Sequence, residues 1–487
     1  MKQAIVVGAG IGGLSAAIVL ASEGVRVTVI EAGPNAGGKA ATVELDGLTL
    51  DTGPSVLTMP DVFDELFRLS GSSLAAEVTL TRPDPAFRYL FPDGVVLDVF
   101  HELRRTEESV ARTLGSTAAS EFAAFMDYSK VIWDTASPAF VYGPSPTIGQ
   151  LVMQGPRAIA QLAKIDGLSK MWSAIRKRVK SQQLQWLFAR YATYNGSDTR
   201  SAPATLNCIA HVELGLGGFG VKGGIHELIR ALVRAGERLG VGYRFDEPVR
   251  EVMFDGKRVT GVRTDAGTLG ADLVVANTEA QHLYRDLAPS LRGAPKDDAP
   301  STSGYNAIVR TQKLATRAAH TVLFPDNYLD EFRDLFDNKR PPREPTVYLC
   351  DLGLCHELDT WGDEAPVFLM ANAPALAPNG ESPSDEWRVL GEEVLDRARV
   401  RGLLCPASRV LWSRTPADLA ARFPGSRGSL YGAASNSSMA AFKRPANRIQ
   451  PGLYLASGSA HPGGGMPLAA LSGRAAAREA IDDLGAP

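Results

Sequence analysis

Cysteine is scarce in this chain: Cys208, Cys350, Cys355 and Cys405 are the only four among 487 residues. Cys350 and Cys355 have four residues between them and lack the paired Cys/His groups that a zinc site needs. All four therefore read as reduced thiols of a cytoplasmic protein. An excess of one charge is also missing. The formal net charge of -3 gives no global reason to expect a nucleic-acid partner. Long apolar runs are missing too. Ala4 to Ala21 is uncharged, but four glycines near its start argue against a signal peptide or a short membrane span. What remains, 45% hydrophobic and 22% charged, is the composition of a globular protein. Its length exceeds one ordinary core, so two or more packed regions are expected.

The glycine-broken run divides into strand, turn and helix. Gln3 to Val7 suits a buried parallel strand, Leu14 to Ser22 has helical composition, and Val25 to Ile30 is a second β-branched strand ending at Glu31. Between the first strand and the helix lies Gly8-x-Gly10-x-x-Gly13, with a further glycine at Gly12. This is a complete βαβ unit for a dinucleotide. Gly8 and Gly10 allow a tight turn close to phosphate, and Gly13 lets the helix pack on the strand. The helix N-terminus offers free N–H groups, and Glu31 can accept from ribose hydroxyls.

The residues that follow narrow the choice of dinucleotide. Gly37-Gly38-Lys39 supplies a second glycine pair and a cation able to reach the pyrophosphate. Here the chain resembles the flavoprotein family of amine oxidases, protoporphyrinogen oxidases and carotenoid desaturases. Two further passages resemble that family's flavin motifs. Val221-Lys-Gly-Gly-Ile-His-Glu precedes a β-meander from Tyr243 to Asn277. A strand Gly452 to Gly458 leads into Ser459-Ala-His-Pro-Gly-Gly-Gly-Met-Pro467 and a helix from about Leu468 to Ile481.

The resemblance implies an α/β fold, in which a Rossmann-like FAD-binding domain carries an inserted α+β substrate domain. The expected flavin domain is discontinuous, at 1–75, 215–285 and 415–487, with 76–214 and 286–414 forming the substrate domain. It implies non-covalent FAD at Gly8, Gly10, Ile11, Gly12, Gly13, Glu31, Ala32, Gly38 and Lys39. It extends that site to Gly53, Pro54, Ser55, Val249, Asn277, Gly458, Gly465, Met466 and Pro467. His461 is a candidate general base, weighed against a role in ordering the glycine loop beneath the flavin.

Within the family the chain is most similar to bacterial phytoene-desaturase-type enzymes, and among them to the hydroxycarotenoid or methoxyneurosporene 3,4-desaturases. Leu50-Asp-Thr-Gly-Pro-Ser through Phe67 carries that resemblance, as does Ser438-Met-Ala-Ala-Phe-Lys-Arg-Pro445 leading to Leu471-Ser-Gly-Arg474. One departure is Gly464, where many relatives have proline. The implied activity is hydrogen removal at C3–C4 of an acyclic 1-hydroxy or 1-methoxy carotenoid, with hydride passing to flavin N5. Such chemistry needs no strong acid–base dyad, and the sequence displays none. The alternatives are desaturation or isomerisation of phytoene or another polyisoprenoid, or a flavin-free prenyl-lipid chaperone. Phe87, Tyr89, Phe91, Phe140, Tyr142, Tyr191 and Tyr194 are candidate tunnel aromatics.

A carotenoid is dissolved in the bilayer, so a peripheral membrane contact is expected, within a helical region at 140–195. Arg157, Lys164, Lys170, Arg176, Lys177, Arg178, Lys180 and Arg190 are interleaved there with apolar residues, among them Ile159, Leu162, Ile165, Leu168, Met171 and Trp172. This pattern suits anionic lipid; it equally suits a helix packing on its own core.

Overall fold

The computed structural model describes residues 1–146, 163–297, 299–315, 317–381 and 384–485. The opening apolar run forms a strand, Gln3–Val7, at the centre of a six-stranded sheet. Arg26–Ile30 lies parallel on one side and Leu273–Ala276 parallel on the other. Gly242–Arg244 extends the first flank in parallel, and Leu453–Leu455 the second, where antiparallel Arg448–Gln450 closes the edge. Strands far apart in sequence thus build one doubly flanked parallel sheet, whose loops gather at the strand C-termini where nucleotides bind.

The first helix spans Ile11–Ser22, starting three residues earlier than its composition suggests. Every residue from Ile11 to Leu20 is buried, so it shows no polar stripe. The C-terminal helix, Met466–Gly485, packs against it and is longer at both ends than expected. Gly473 makes the approach possible, because a Cβ there would sit 2.1 Å from the Gly12 carbonyl oxygen. The expected meander from Tyr243 to Asn277 is corrected. Its first and last strands join the parallel sheet, and only Val249–Asp255, Arg258–Thr264 and Gly267–Gly270 form a separate antiparallel sheet.

A second sheet has seven strands in the order Arg409–Arg414, Ser303–Gln312, Glu364–Ala373, Val347–Asp351, His320–Leu323, Phe87–Leu90 and Val96–Val99. Only His320–Leu323 and Phe87–Leu90 pair in parallel; the other neighbours are antiparallel. The long helix Ser116–Phe140 and the short helices Met171–Arg178 and Gln182–Ala189 share an aromatic-rich core with this sheet. Both sheets and this helical layer meet around one large cavity.

The basic stretch lies largely in that helical layer. Ile165, Met171, Ile175, Val179, Leu184, Trp186 and Leu187 are buried in the protein's own core. Most of its apolar face is therefore already covered, while Trp172 is half-buried and Leu168 exposed. Lys164, Lys170, Arg176, Lys177 and Lys180 are exposed, Arg178 pairs with Asp166, and Arg190 is buried. Arg157, Ile159 and Leu162 lie outside the described residues.

Candidate active site

The glycine turn is shaped by contacts inside the protein. A Cβ at Gly10 would stand 2.6 Å from Asn277 Oδ1, and one at Gly12 2.6 Å from the Ala456 carbonyl. One at Gly8 would stand 2.7 Å from the Asn277 carbonyl, and one at Gly13 2.1 Å from that of Gly8. Asn277 thus packs beneath the turn, and its amide donates to the Ala456 carbonyl. The opposite side of the turn carries the start of the first helix. Its cap, Gly10, provides no side-chain hydrogen bond, and no acidic residue occupies the first turn. Free N–H groups and the positive helix end at Ile11, Gly12 and Gly13 make a cradle suited to an anion.

Glu31 fastens this cradle. Ala9 N–H donates to its Oε2 at 2.7 Å and Gly33 N–H to its Oε1 at 2.9 Å. Each oxygen retains a lone pair for a hydroxyl. Ala32 is exposed and presents only backbone here. Val249 opens its strand just beyond Glu247, whose N–H donates to the Glu31 carbonyl at 3.0 Å. Gly37 N–H bonds the Ala9 carbonyl at 2.9 Å, so the second glycine pair lies on the first turn.

Lys39 departs from expectation. Its ammonium bonds Glu279 at 2.7 Å and the Ser429 and Leu430 carbonyls at 3.0 and 3.1 Å, so its charge is engaged within the protein. Sequence reading also missed Asp51. This buried carboxylate accepts from the N–H groups of Ile225 and His226 at 2.6 and 3.1 Å, capping the helix Ile225–Arg238. Gly53 then packs on the Lys39 carbonyl, where a Cβ would stand at 2.3 Å.

Gly53, Pro54 and Ser55 face Gly464, Gly465, Met466 and Pro467 across a cavity of about 530 Å³. Pro467 lies in the first turn of the C-terminal helix, so a second helix N-terminus points at this space. Gly464 packs on Tyr431, whose Cα would lie 2.6 Å from an added Cβ. Any side chain there, a proline ring included, meets the same wall. Gly458 supports the loop from behind, its carbonyl accepting from Arg444 at 3.2 Å. Arg444 also bonds the Tyr431 and Ala433 carbonyls, and burial lowers its pKa to about 10, so it stays charged at neutral pH.

His461 does not line the cavity. Its Nε2 bonds the Gly143 carbonyl at 3.0 Å, and Asn447 Nδ2 donates to its own carbonyl at 3.0 Å. The imidazole orders the loop, which removes it as general base. Of the candidate tunnel aromatics, Phe140 and Tyr194 line the cavity. Phe87, Tyr89, Phe91 and Tyr191 belong to the adjoining core, and Tyr142 is exposed.

Among the described residues the cavity wall holds no aspartate, glutamate or histidine. Its polar end carries Arg190, Tyr194, Tyr328, Tyr348 and Asn372. Arg190 is 6% exposed and bonds Tyr194 Oη at 3.0 Å, while Glu213 behind them accepts from Tyr191 at 2.9 Å and from Tyr194. The Tyr328 hydroxyl is buried without a hydrogen-bond partner.

All four cysteines are free thiols, and the fold brings two of them to a histidine. His320 and Cys350 are cross-strand partners, and Cys355 Sγ lies 3.3 Å from His320 Nε2. Paired Cys and His groups do meet here, although no local spacing announces them.

Comparison with known proteins agrees with this architecture. The family described as flavin containing amine oxidoreductase matches residues 11–365. The chain is 34% identical to the hydroxyneurosporene desaturase of Rubrivivax gelatinosus, covering 99% of this chain and 94% of that one. It is 31% identical to the 4,4'-diapolycopene oxygenase of a Methylomonas species, with 99% of each covered. It is 30% identical to the 1-hydroxycarotenoid 3,4-desaturase of a Flavobacterium species, covering 97% of this chain and 98% of that one. The solved cyclohexylamine oxidase of Brevibacterium oxydans superposes with a TM-score of 0.61 at 15% identity over all of both chains, a likeness of fold. With the family matched over most of the chain and a relative 34% identical over nearly its whole length, the chain belongs to the flavin-containing amine oxidoreductase family.

Proposed function

We propose that this protein is an FAD-dependent desaturase that removes hydrogen from C3–C4 of an acyclic 1-hydroxy or 1-methoxy carotenoid. The observation that carries this reading is the cavity. It runs from the two glycine loops to a polar end, and no carboxylate on its wall is placed to pair with a cationic amine. C1 and C3 are two bonds apart, so a group that recognises oxygen on C1 must lie close to the flavin loops. Tyr348 lines the same cavity as the Gly53–Ser55 segment.

The residues divide the work. The first helix N-terminus and Glu31 hold the pyrophosphate and ribose of a non-covalently bound FAD. Asn277, Gly38 and the backbone near Val249 shape its adenosine side. Gly53, Pro54, Ser55, Gly465, Met466 and Pro467 border its ring, with Gly458 and Arg444 fixing the loop. FAD supplies a hydride acceptor at N5. When bound, it would take up both hydrogens, a hydride at N5 and the proton released from the neighbouring C–H, as the C=C forms and the polyene stabilises the positive charge between the two losses. The apolar wall orients the chain and excludes water, which is the greater part of what such a reaction asks of a protein. We further propose that the cavity mouth docks peripherally on the bilayer that dissolves the substrate.

Expression in cells that make neurosporene or its 1-hydroxy derivative, followed by pigment spectra and product masses, tests this reading. The expected product is two hydrogens lighter, with a longer chromophore, and forms only from the hydroxylated substrate. Conversion of neurosporene alone overturns it. The oxygenase relative gives a second reading for the same experiment, a product that has gained oxygen at a terminal carbon.

A further inference from the structure

We propose that His320, Cys350, Cys355 and His356 form a structural site for one zinc ion. The donor atoms of His320, Cys350 and Cys355 all lie within 4.8 Å of one another, and all three residues are buried. Antiparallel pairing puts His320 opposite Cys350 on one face of the sheet. The short helix Leu352–His356 then turns Cys355 back toward them, its Sγ 3.3 Å from His320 Nε2.

His356 supplies the second, independent observation. It is fully buried, and its Nε2 has no hydrogen-bond partner. Its Nδ1 sits 3.1 Å from the carbonyl oxygen and 3.2 Å from the N–H of Val221. With Nδ1–H donating to that carbonyl, Nε2 is a free lone pair on the residue that follows Cys355 in the same short helix. His320 is held in the same manner, with Nδ1 2.7 Å from Tyr348 Oη and Nε2 turned to the thiols. Anchoring one ring nitrogen while freeing the other is how metal-ligating histidines are oriented.

The donor chemistry selects the ion. Two thiolates and two neutral imidazoles match tetrahedral zinc and leave no net charge in an interior that would penalise one. Four protein ligands and no solvent path describe a structural centre, not a catalytic one. Its position explains what it would hold together. His356 grips Val221. The ion would therefore tie the seven-stranded sheet to the Gly220–Val221 segment. Because ligands this buried load during folding, the metal has to be present during synthesis.

The test uses the full-length, flavin-bound protein purified under reducing conditions from cells grown with zinc or with cobalt. Elemental analysis is expected to find about one zinc per chain, as a Cys2His2 site holds. The cobalt-grown protein is expected to show ligand-field bands beyond the flavin absorbance, with thiolate charge-transfer bands. Cys350→Ser, Cys355→Ser and His356→Gln should each lower retained metal at least tenfold while Cys405→Ser leaves it unchanged. A folded, yellow wild-type protein without stoichiometric metal from either culture overturns the proposal. So does an intramolecular Cys350–Cys355 disulfide. The wild-type cobalt spectrum decides even where a variant does not fold, and none of these readouts depends on the carotenoid assignment.

Discussion

Lys39 directs its ammonium at Glu279, in a pair whose side chains are 30% and 11% exposed. Removing one partner of such a half-buried pair strands the other, which costs about 1–3 kcal/mol. Lys39→Met should therefore destabilise the protein by that amount, and Lys39→Met with Glu279→Gln by less than the two single changes added. Denaturant unfolding of all four proteins at the same saturating FAD concentration measures this, since unequal flavin binding would shift apparent stability by mass action. Strict additivity would show that the lysine acts on the cofactor instead. The contrast with Glu31 shows what a sequence displays at this scale. Glu31 and the Gly8–Gly13 turn lie within one βαβ unit, so spacing alone places them together. The partner of Lys39 is 240 residues away. The encounters of His320 with Cys350 and of Arg190 with Glu213 are likewise made by tertiary pairing, and no local pattern records them.

Elements reveal their length and amphipathicity in sequence, but not the surface that covers them. The stretch from Ile165 to Leu187 has the period of a lipid-facing helix, yet most of its apolar residues, Leu168 excepted, fill the protein's own core. The first helix has no polar face because sheet and C-terminal helix enclose it, which its uniform apolar composition did suggest. The C-terminal flavin loop shows how one element acquires a pH dependence. His461 is buried, and burial, with Arg444 adding to it, holds its pKa below the ordinary value. In the unfolded chain the imidazole titrates near 6.5. As pH falls below that value the unfolded chain takes up a proton that the fold refuses, so stability complete above about pH 6.5 declines with acid. Half-buried His101 and buried His211 titrate in the same sense. Release of fluorescent flavin should accelerate from pH 7 toward pH 5, and His461→Asn should flatten that slope while leaving the shares of His101 and His211. An unaltered slope in the variant would detach the loop from the effect.

At the scale of the whole molecule, the cavity and the surface charge meet at one place. Leu168 is 86% exposed and Met439 40% exposed, and both belong to the cavity wall, so the opening is rimmed by apolar side chains in contact with solvent. No described helix is long and apolar enough to cross a membrane. Lys164, Lys170 and Lys443 are exposed and lie within a few residues of these rim positions and of Phe442. An apolar opening flanked by lysines suits attachment to an anionic bilayer from which an insoluble chain enters directly. Each lysine near such a surface contributes about 1 kcal/mol, so changing all three to glutamine should weaken binding to anionic vesicles at least tenfold. Flotation with vesicles of anionic or neutral lipid measures it, and raising salt should mimic the substitutions. Turnover of detergent-dispersed substrate should stay near the wild-type rate, because none of the three lysines lines the cavity. Equal flotation of wild type and triple variant on anionic vesicles would move the docking surface away from the cavity mouth. The substrate's route into the protein would then have to open elsewhere.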